Sequence, residues 1–300
     1  MGSETTKMKV GRVNKCLQTV EEIVYKNEVK VAYAGNHRSG AFTEQIRSRG
    51  TTALNNLKNE AIKYQATAFS GAATESFRQA SDSLEFLKEI KEKTGISMKL
   101  IDQDQEAMLG YLAATAVFPS KTENIVVWDI GGASMQIIFR KKNREFVIYR
   151  GRMASVSFKE AILLHVKKQR PEKHLSPNPI GKENLKNALE IVLASAGDVP
   201  DEIKKIILEA DSVVLGIGGV HNQSVKKQLR ENALCNREEL QNALETRLEF
   251  SDKEIGGNYA ATDVSNLILV LGFMKKLGIK EVVPVNVNLT DGVLVDPQFW

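Results

Sequence analysis

The chain has 300 residues, room for one large or two medium domains, and 42% of them are apolar, enough for a substantial core. Its 41 Lys+Arg against 37 Asp+Glu leave a net charge of +4; such a mixed-charge surface admits an anionic ligand without demanding one, and neither nucleic acid nor membrane is an expected partner. No run of 18 apolar residues and no apolar leader segment is visible, and Cys16 and Cys235 are too few for a disulfide framework, which points to a reducing, cytoplasmic setting.

In chain order, 7–13, 17–24 and 29–34 read as short alternating strands, with turns at "VNKC" and "YKNE" and a polar loop over 35–50. Leu54, Leu57 and Ile62 stand near helical spacing in 51–64, and "ATAFSGAAT" reads as a buried strand leading into a turn. "SDSLEFLKEIKEKTG" predicts a helix with Ser81 as cap and Gly95 as stop. "MKLID" reads as a strand, and "QDQEAMLGYLAATAVF" as a helix with Asp104 near its start.

From residue 125 the order is strand, Gly-Gly turn, strand and a third strand at 145–149. Helices follow near 155–168, 182–195, 201–210, 238–249 and 263–277, with strands at 212–219 and 281–286 and one long loop over 167–183. A three-strand meander followed by alternating helices and strands thus occurs twice. The class is α/β, and the doubling predicts two similar domains with an interdomain cleft.

The chemistry concentrates in "IVVWDIGGASMQIIF", residues 125–139. Gly131 and Gly132 admit either a plain turn or a nest of backbone N–H donors that fits phosphate oxygens. Ser134 adds a hydroxyl donor. Asp129 repels phosphate but can hold Mg2+ through water. A second small-residue loop, Gly2, Ser3, Thr5 and Thr6 in "GSETTKMKVGRV", precedes a strand in the same way; a frayed terminus is the plainer reading.

"DIGGASMQ" resembles the second phosphate loop of the exopolyphosphatase/guanosine pentaphosphate phosphohydrolase (Ppx/GppA) family. "AATESFRQASDSLEFLKEIKEKTGISMKLIDQDQEAMLGYLA" resembles that family's central segment, "GSETTKMKVGRV" its first phosphate loop, and "VLGIGGVHNQ" and "NLILVLGFMKKLGI…VNVNLTDGVLVD" its later glycine strand and C-terminal segment. The resemblance implies a two-domain actin-like (ribonuclease H-like) α/β fold. Domain I then spans 1–118, with the tail 288–300 returning to it, and domain II spans 119–287.

The resemblance further implies hydrolysis of terminal phosphoanhydride bonds in inorganic polyphosphate, guanosine pentaphosphate or another nucleotide, with Mg2+ as cofactor. Glu106 matches the catalytic base, although on its own it reads as a first-turn acid at a helix start. Asp129 matches the metal-linked aspartate. Arg78 matches an arginine able to clamp phosphate, where otherwise it reads as a surface residue at a helix start. Gly131, Gly132, Ala133, Ser134 and Gln136 match the second phosphate loop, Gly218 and Gly219 the later glycine pair, and Gly2, Ser3 and Thr5 the first loop.

Four positions depart from the family pattern. Met1 stands one position after the place of the first loop's aspartate. Gln136 replaces a glutamate, as in the related ecto-apyrases; Ser157 replaces a frequent arginine; Val220 replaces a threonine. They leave two alternatives, an apyrase-like nucleoside triphosphatase and a non-hydrolysing nucleotide or alarmone sensor. A homodimer is left open. His37, His165, His174 and His221 share no metal-ligand spacing, and Trp128 reads as core.

Overall fold

A computed structural model of the chain describes residues 1–14, 16, 19–33, 40–118, 122–231 and 234–300. The chain divides into two units, Met1–Val117 with Val287–Trp300, and Phe118–Asn286.

The first unit begins with an antiparallel ribbon. β1 (Thr5–Asn14) pairs with β2 (Thr19–Lys30), from Thr5 opposite Lys30 to Asn14 opposite Thr19. Three strands are predicted here, with a turn at residues 25–28. Instead Tyr25 lies opposite Val10 and Glu28 opposite Lys7, so these residues continue β2. Lys26, Asn27 and Glu28 are exposed, and their polar character reflects a solvated ribbon rather than a turn. The predicted turn at 13–16 and strand from 17 fall partly on residues 15, 17 and 18. The predicted strand end at 34 and loop start at 35–39, with His37, fall on 34–39. All of these lie outside the described residues.

α1 (Glu44–Lys63) begins two turns before the apolar spacing predicts. Thr43 supplies the cap, its hydroxyl accepting the Ile46 N–H at 3.3 Å, and Ile46 is buried. β3 (Ser70–Ala73), α2 (Glu75–Gln79), α3 (Ser83–Thr94) and β4 (Ser97–Leu100) follow, with β3 and β4 parallel. α3 stops on Gly95 in the left-handed region, φ 74°, as predicted. Its N-cap position is Asp82; the Ser81 hydroxyl instead donates to the Gly40 carbonyl at 2.7 Å. α4 (Gln103–Val117) is fixed at its start by a reciprocal pair: Asp102 accepts the Gln105 N–H at 2.8 Å, and Gln105 accepts the Asp102 N–H at 3.1 Å. Tyr33, Phe42, Phe77 and Phe86 form the aromatic centre of this unit's core.

In the second unit the meander is as predicted, β5 (Ile125–Ile130), β6 (Met135–Arg140) and β7 (Phe146–Gly151), antiparallel throughout. α5 (Ser155–Ala161) runs on into a π-helical turn, Ile162–Val166. After it come α6 (Leu185–Gly197), α7 (Asp201–Ile207) and β8 (Val213–Ile217). A second π-helical turn (Val220–Val225) leads into α8 (Lys226–Gln228). β9 (Cys235–Asn236), α9 (Arg237–Arg247), α10 (Asp252–Ile255), α11 (Ala260–Leu277) and β10 (Glu281–Pro284) complete it. Among the described residues the sheet order is β7-β6-β5-β8-β10-β9, with β5, β8 and β10 parallel.

Alternation divides this sheet's faces. Val126, Trp128 and Ile130 of β5 and Met135 and Ile137 of β6 point into the core, where Trp128 meets Phe273 of α11 at 5.5 Å between ring centroids. The opposite parity carries Asp129, Gln136 and Arg150, and the candidate site grows from it.

The tail returns to the first unit as α12 (Leu289–Val295), tied to β1 by a Lys9–Asp291 ion pair at 2.6 Å. α12 packs on α4 at Gly292, where an added β-carbon would stand 2.3 Å from the Leu109 carbonyl oxygen. That oxygen is backbone within the helix that carries Glu106, so it cannot step aside as a flexible side chain would. Gly292→Ala should therefore cost about 1–3 kcal/mol of stability through overpacking, read as a lower denaturant midpoint. A midpoint equal to the parent's would show that the two helices do not meet this closely.

Candidate active site

The loop between β5 and β6 closes on itself: the Gly131 N–H donates to the Ser134 carbonyl at 2.9 Å. Neither Gly131 nor Gly132 has positive φ. Gly131 is required by close approach instead, since a β-carbon there would stand 3.0 Å from the Ser134 oxygen. α5 grips the loop from one side. The Ser155 N–H donates to the Gly131 carbonyl at 3.1 Å, and the Val156 N–H to the Gly132 carbonyl at 2.7 Å. In a trans peptide the C=O and the following N–H point in opposite directions. With both carbonyls turned to α5, the N–H groups of Gly132 and Ala133 face the other way, and neither meets a partner among the described residues. The loop thus offers two backbone donors on one side, the nest geometry that suits an anion. The N–H groups of Ser155 and Val156, the first two of α5, are consumed in making it.

Ser134 is 7% exposed, and the Gln136 amide reaches its hydroxyl at 3.4 Å. Gln136 is itself 2% exposed, so the amide backs Ser134 from within. Asp129 stands directly opposite Gln136, and Gln136 opposite Arg150. Directly paired residues on neighbouring strands share a face, which puts Arg150 in line with Asp129 and Gln136. Sequence reasoning missed Arg150; its place two residues beyond Ile148 in the alternation of β7 was the available signal.

Asp129 is half-buried against the later glycine pair. Gly218 has φ 82°, and a β-carbon on it would lie 2.5 Å from Asp129 Oδ1. No L side chain fits that cradle. The Asn222 amide holds the Gly218 carbonyl at 3.2 Å and the Val285 carbonyl at 2.8 Å, fixing the turn to the end of β10. A β-carbon on Gly219 would meet nothing within 4 Å. No group of three or more His, Cys, Asp or Glu side chains that could hold a metal occurs among the described residues. A single carboxylate in a glycine cradle fits a Mg2+ that keeps its waters and takes the rest of its ligands from phosphates, and does not fit a closed all-protein site.

In the first unit, Glu106 lies in the first turn of α4 and Arg78 at the end of α2. Arg78 Nη2 donates to Glu106 Oε2 at 2.9 Å and to Glu75 Oε2 at 2.6 Å. Its Nε donates to Glu75 Oε2 at 3.1 Å, and Nη1 to the Ile101 carbonyl at 2.8 Å. Four of the five guanidinium N–H groups are thereby engaged. Arg78 is expected from sequence to clamp phosphate; here Glu75 and Glu106 take up the fork, and the arginine orients the Glu106 carboxylate. All three side chains are at least three-quarters buried.

The N-terminal loop repeats the closure of the glycine loop. The Gly2 N–H donates to the Thr5 carbonyl at 2.9 Å, as Gly131 does to Ser134. Ser3 and Glu4 form the bend, and the Glu4 carbonyl accepts from Val31 and Ala32 at 3.0 Å each. Met1 lies beside β3, its carbonyl accepting the Thr74 N–H at 3.1 Å.

Other singled-out residues are structural. His221 is 1% exposed and packs edge-on to Trp128 at 4.9 Å between centroids. Burial lowers its pKa to about 3, so it is neutral and carries no charge to a ligand. The Ser157 hydroxyl accepts the Ala154 N–H at 2.8 Å and donates to the Arg152 carbonyl at 2.7 Å, an N-terminal brace for α5. Val220 is buried.

Residues 10–297 match the sequence profile of the Ppx/GppA phosphatase family. The chain belongs to that family. A Ppx-GppA enzyme of Aquifex aeolicus has the same fold at 16% identity, with a TM-score of 0.76 over 98% of this chain and 96% of the other. An exopolyphosphatase of Cytophaga hutchinsonii matches at 15% identity and TM-score 0.76, over 98% and 94%. This Ppx/GppA chain therefore has the actin-like α/β fold that its motifs imply. Among its described residues no helix is long and apolar enough to cross a membrane.

Two glycines separate turn closure from simple smallness. Gly131→Ala places a methyl against the Ser134 carbonyl and should cost about 1–2 kcal/mol while weakening phosphate binding. Gly132→Ala meets only Val156 Cγ2 at 3.6 Å, an ordinary contact, and should stay within about 0.5 kcal/mol of the parent. Thermal melts and isothermal titration with tripolyphosphate compare the two. Equal behaviour would contradict the close closure at Gly131.

Proposed function

We propose that the protein hydrolyses terminal phosphoanhydride bonds of inorganic polyphosphate, with guanosine pentaphosphate as the other substrate of the same chemistry. The observation that carries this reading is the outward pair of N–H donors at Gly132 and Ala133, beside Ser134 and Asp129. The family and the printed name of the Cytophaga neighbour support polyphosphate as the substrate class.

In this reading the Gly132 and Ala133 N–H groups and the Ser134 hydroxyl hold phosphate oxygens and stabilise the charge that develops on them. The N-terminal loop, Gly2 to Thr5, with the same closure, is the second phosphate-holding element. Gly218 holds the Asp129 carboxylate in place, and Asn222 holds Gly218. Asp129 would hold a Mg2+, whose charge would offset that of the phosphate oxygens. Glu106 takes the proton from the attacking water as its oxygen bonds to the terminal phosphorus and the bridging P–O bond breaks. Arg78 and Glu75 position that carboxylate.

Glu106→Gln keeps an amide oxygen for Arg78 to bind and removes only the basic carboxylate. It should lower kcat on long-chain polyphosphate by about 10²–10⁴-fold, the usual size of a general-base contribution, with binding of the chain retained. Phosphate release and equilibrium binding measured on the same preparations check this. Parental turnover in the variant would remove Glu106 from the role.

A further inference from the structure

The π-helical turn Val220–Val225 begins directly after Gly218 and Gly219, and its side chains face three ways. Asn222 reaches the Gly218 and Val285 carbonyls. His221 packs on Trp128, the residue before Asp129. Ser224 is buried and faces α11. Positions two apart on a helical turn do not face the same way, so whatever holds Ser224 fixes the rotation that presents Asn222. π-helical turns are rare and concentrate at functional sites.

A polar set at the start of α11 holds Ser224. Its hydroxyl donates to Asp263 Oδ1 at 2.5 Å, and the Asn266 amide donates to the same hydroxyl oxygen at 2.9 Å. The Gln228 amide donates to the Asp263 carbonyl at 2.8 Å and to the Ser224 carbonyl at 3.2 Å. Each amide nitrogen is identified by the acceptor it faces, which leaves Asn266 Oδ1 and Gln228 Oε1 as buried acceptors without a partner among the described residues. Burial raises the Asp263 pKa, and the Ser224 hydroxyl acts against that shift. Two unpaired acceptors and a half-buried carboxylate cost stability. α11 is apolar and buried from Leu267 to Leu271, and the same packing continued to its start would join it to the turn without that cost. What the polar set supplies, and apolar packing does not, is direction, because a hydrogen bond weakens steeply when its angle is lost.

We propose that Asp263 is a positioning residue for the hydrolysis of phosphoanhydrides. Bonded to Ser224, it locks the π turn; Asn222 on that turn fixes Gly218; and Gly218 sets the Asp129 carboxylate that would hold Mg2+. Asp263 acts through Ser224 and the turn, not by touching the substrate. The inference rests on the proposed function of the Asp129 site. Release of the lock lets the turn rotate, and the cradle at Gly218 then loses its fit to the Asp129 oxygen it approaches.

The test compares Ser224→Ala, Asp263→Ala and Asp263→Asn in the full chain. Asp263→Asn keeps an oxygen that accepts from Ser224. Ser224→Ala removes a single oxygen, so the test stands if Asp263→Ala does not fold. Met274→Ala is the control for stability alone: it is buried in the same helix, about 16 Å from Asp263 at 1.5 Å per residue. Backbone amide NMR is recorded without metal or substrate. The Mg2+ dependence of phosphate release from tripolyphosphate is then measured at a temperature where every variant is folded. Both alanine variants should shift the Gly218 and Gly219 amides and raise the Mg2+ concentration for half-maximal rate by about 10–100-fold. Asp263→Asn should restore the parental Mg2+ midpoint. Met274→Ala should lower the melting temperature and leave that midpoint and the glycine amides in place. Alanine variants that lose stability yet keep the parental midpoint and amide positions overturn the lock and leave the proposed function standing. Asp263→Asn as impaired as Asp263→Ala also overturns it, because charge and not the bond to Ser224 would then be at work. A midpoint raised equally in Met274→Ala overturns it as well, since any loss of packing in α11 would account for the effect. A parent that releases no phosphate from tripolyphosphate or longer chains overturns the proposed function, and the positioning role with it.

Discussion

Two carbonyls held by a helix start determine what the glycine loop can do. Ser155 and Val156 donate to Gly131 and Gly132, and peptide planarity converts that grip into outward N–H groups at Gly132 and Ala133. An isolated helix start would itself attract an anion; here its donors are satisfied by the loop, and the donor function moves one peptide outward. The Ser157 brace at Ala154 and Arg152 holds the helix start in the required place. Preorganised donors cost little reorganisation when charge arrives, which is why so small a structural element can matter for phosphate chemistry.

The first unit shows the complementary arrangement, in which a carboxylate rather than a donor is fixed. Glu106 is set by the Asp102–Gln105 pair at the start of α4, by the Arg78 fork, and by the backing of α12 at Gly292. Each constraint comes from a different segment, at positions 78, 102–105 and 292. The side chain therefore depends on the whole unit, and a remote substitution at Gly292 acts on it through the helix that bears it.

What could be read from the sequence was what repeats locally. The meander from residue 125, the helix stop at Gly95 and the helix bearing Glu106 follow from apolar alternation, a left-handed glycine and helical spacing. Partners far along the chain stayed hidden. The N–H groups of Ser155 and Val156 bear no side-chain signature, so "MASVSF" shows only a serine in an arginine's place and not the backbone that shapes the loop. Arg78 reads as a phosphate clamp until Glu75 and Glu106 appear around it, the latter 28 positions away. The first turns of α1 escape because "EQIRSRG" is polar, and burial of Ile46 and Gly50 against the unit's core overrides propensity. The closure shared by Gly2–Thr5 and Gly131–Ser134 is a backbone feature that no residue pattern displays.

The central claim is that the Gly132 and Ala133 amides bind phosphate. Backbone amide NMR of the full chain, titrated with tripolyphosphate in the presence of Mg2+, tests it most directly. The Gly132 and Ala133 resonances should shift together and saturate with the binding isotherm, while Gly131, whose N–H is already bound within the turn, moves less. Saturable binding that leaves both amides unmoved would contradict the account.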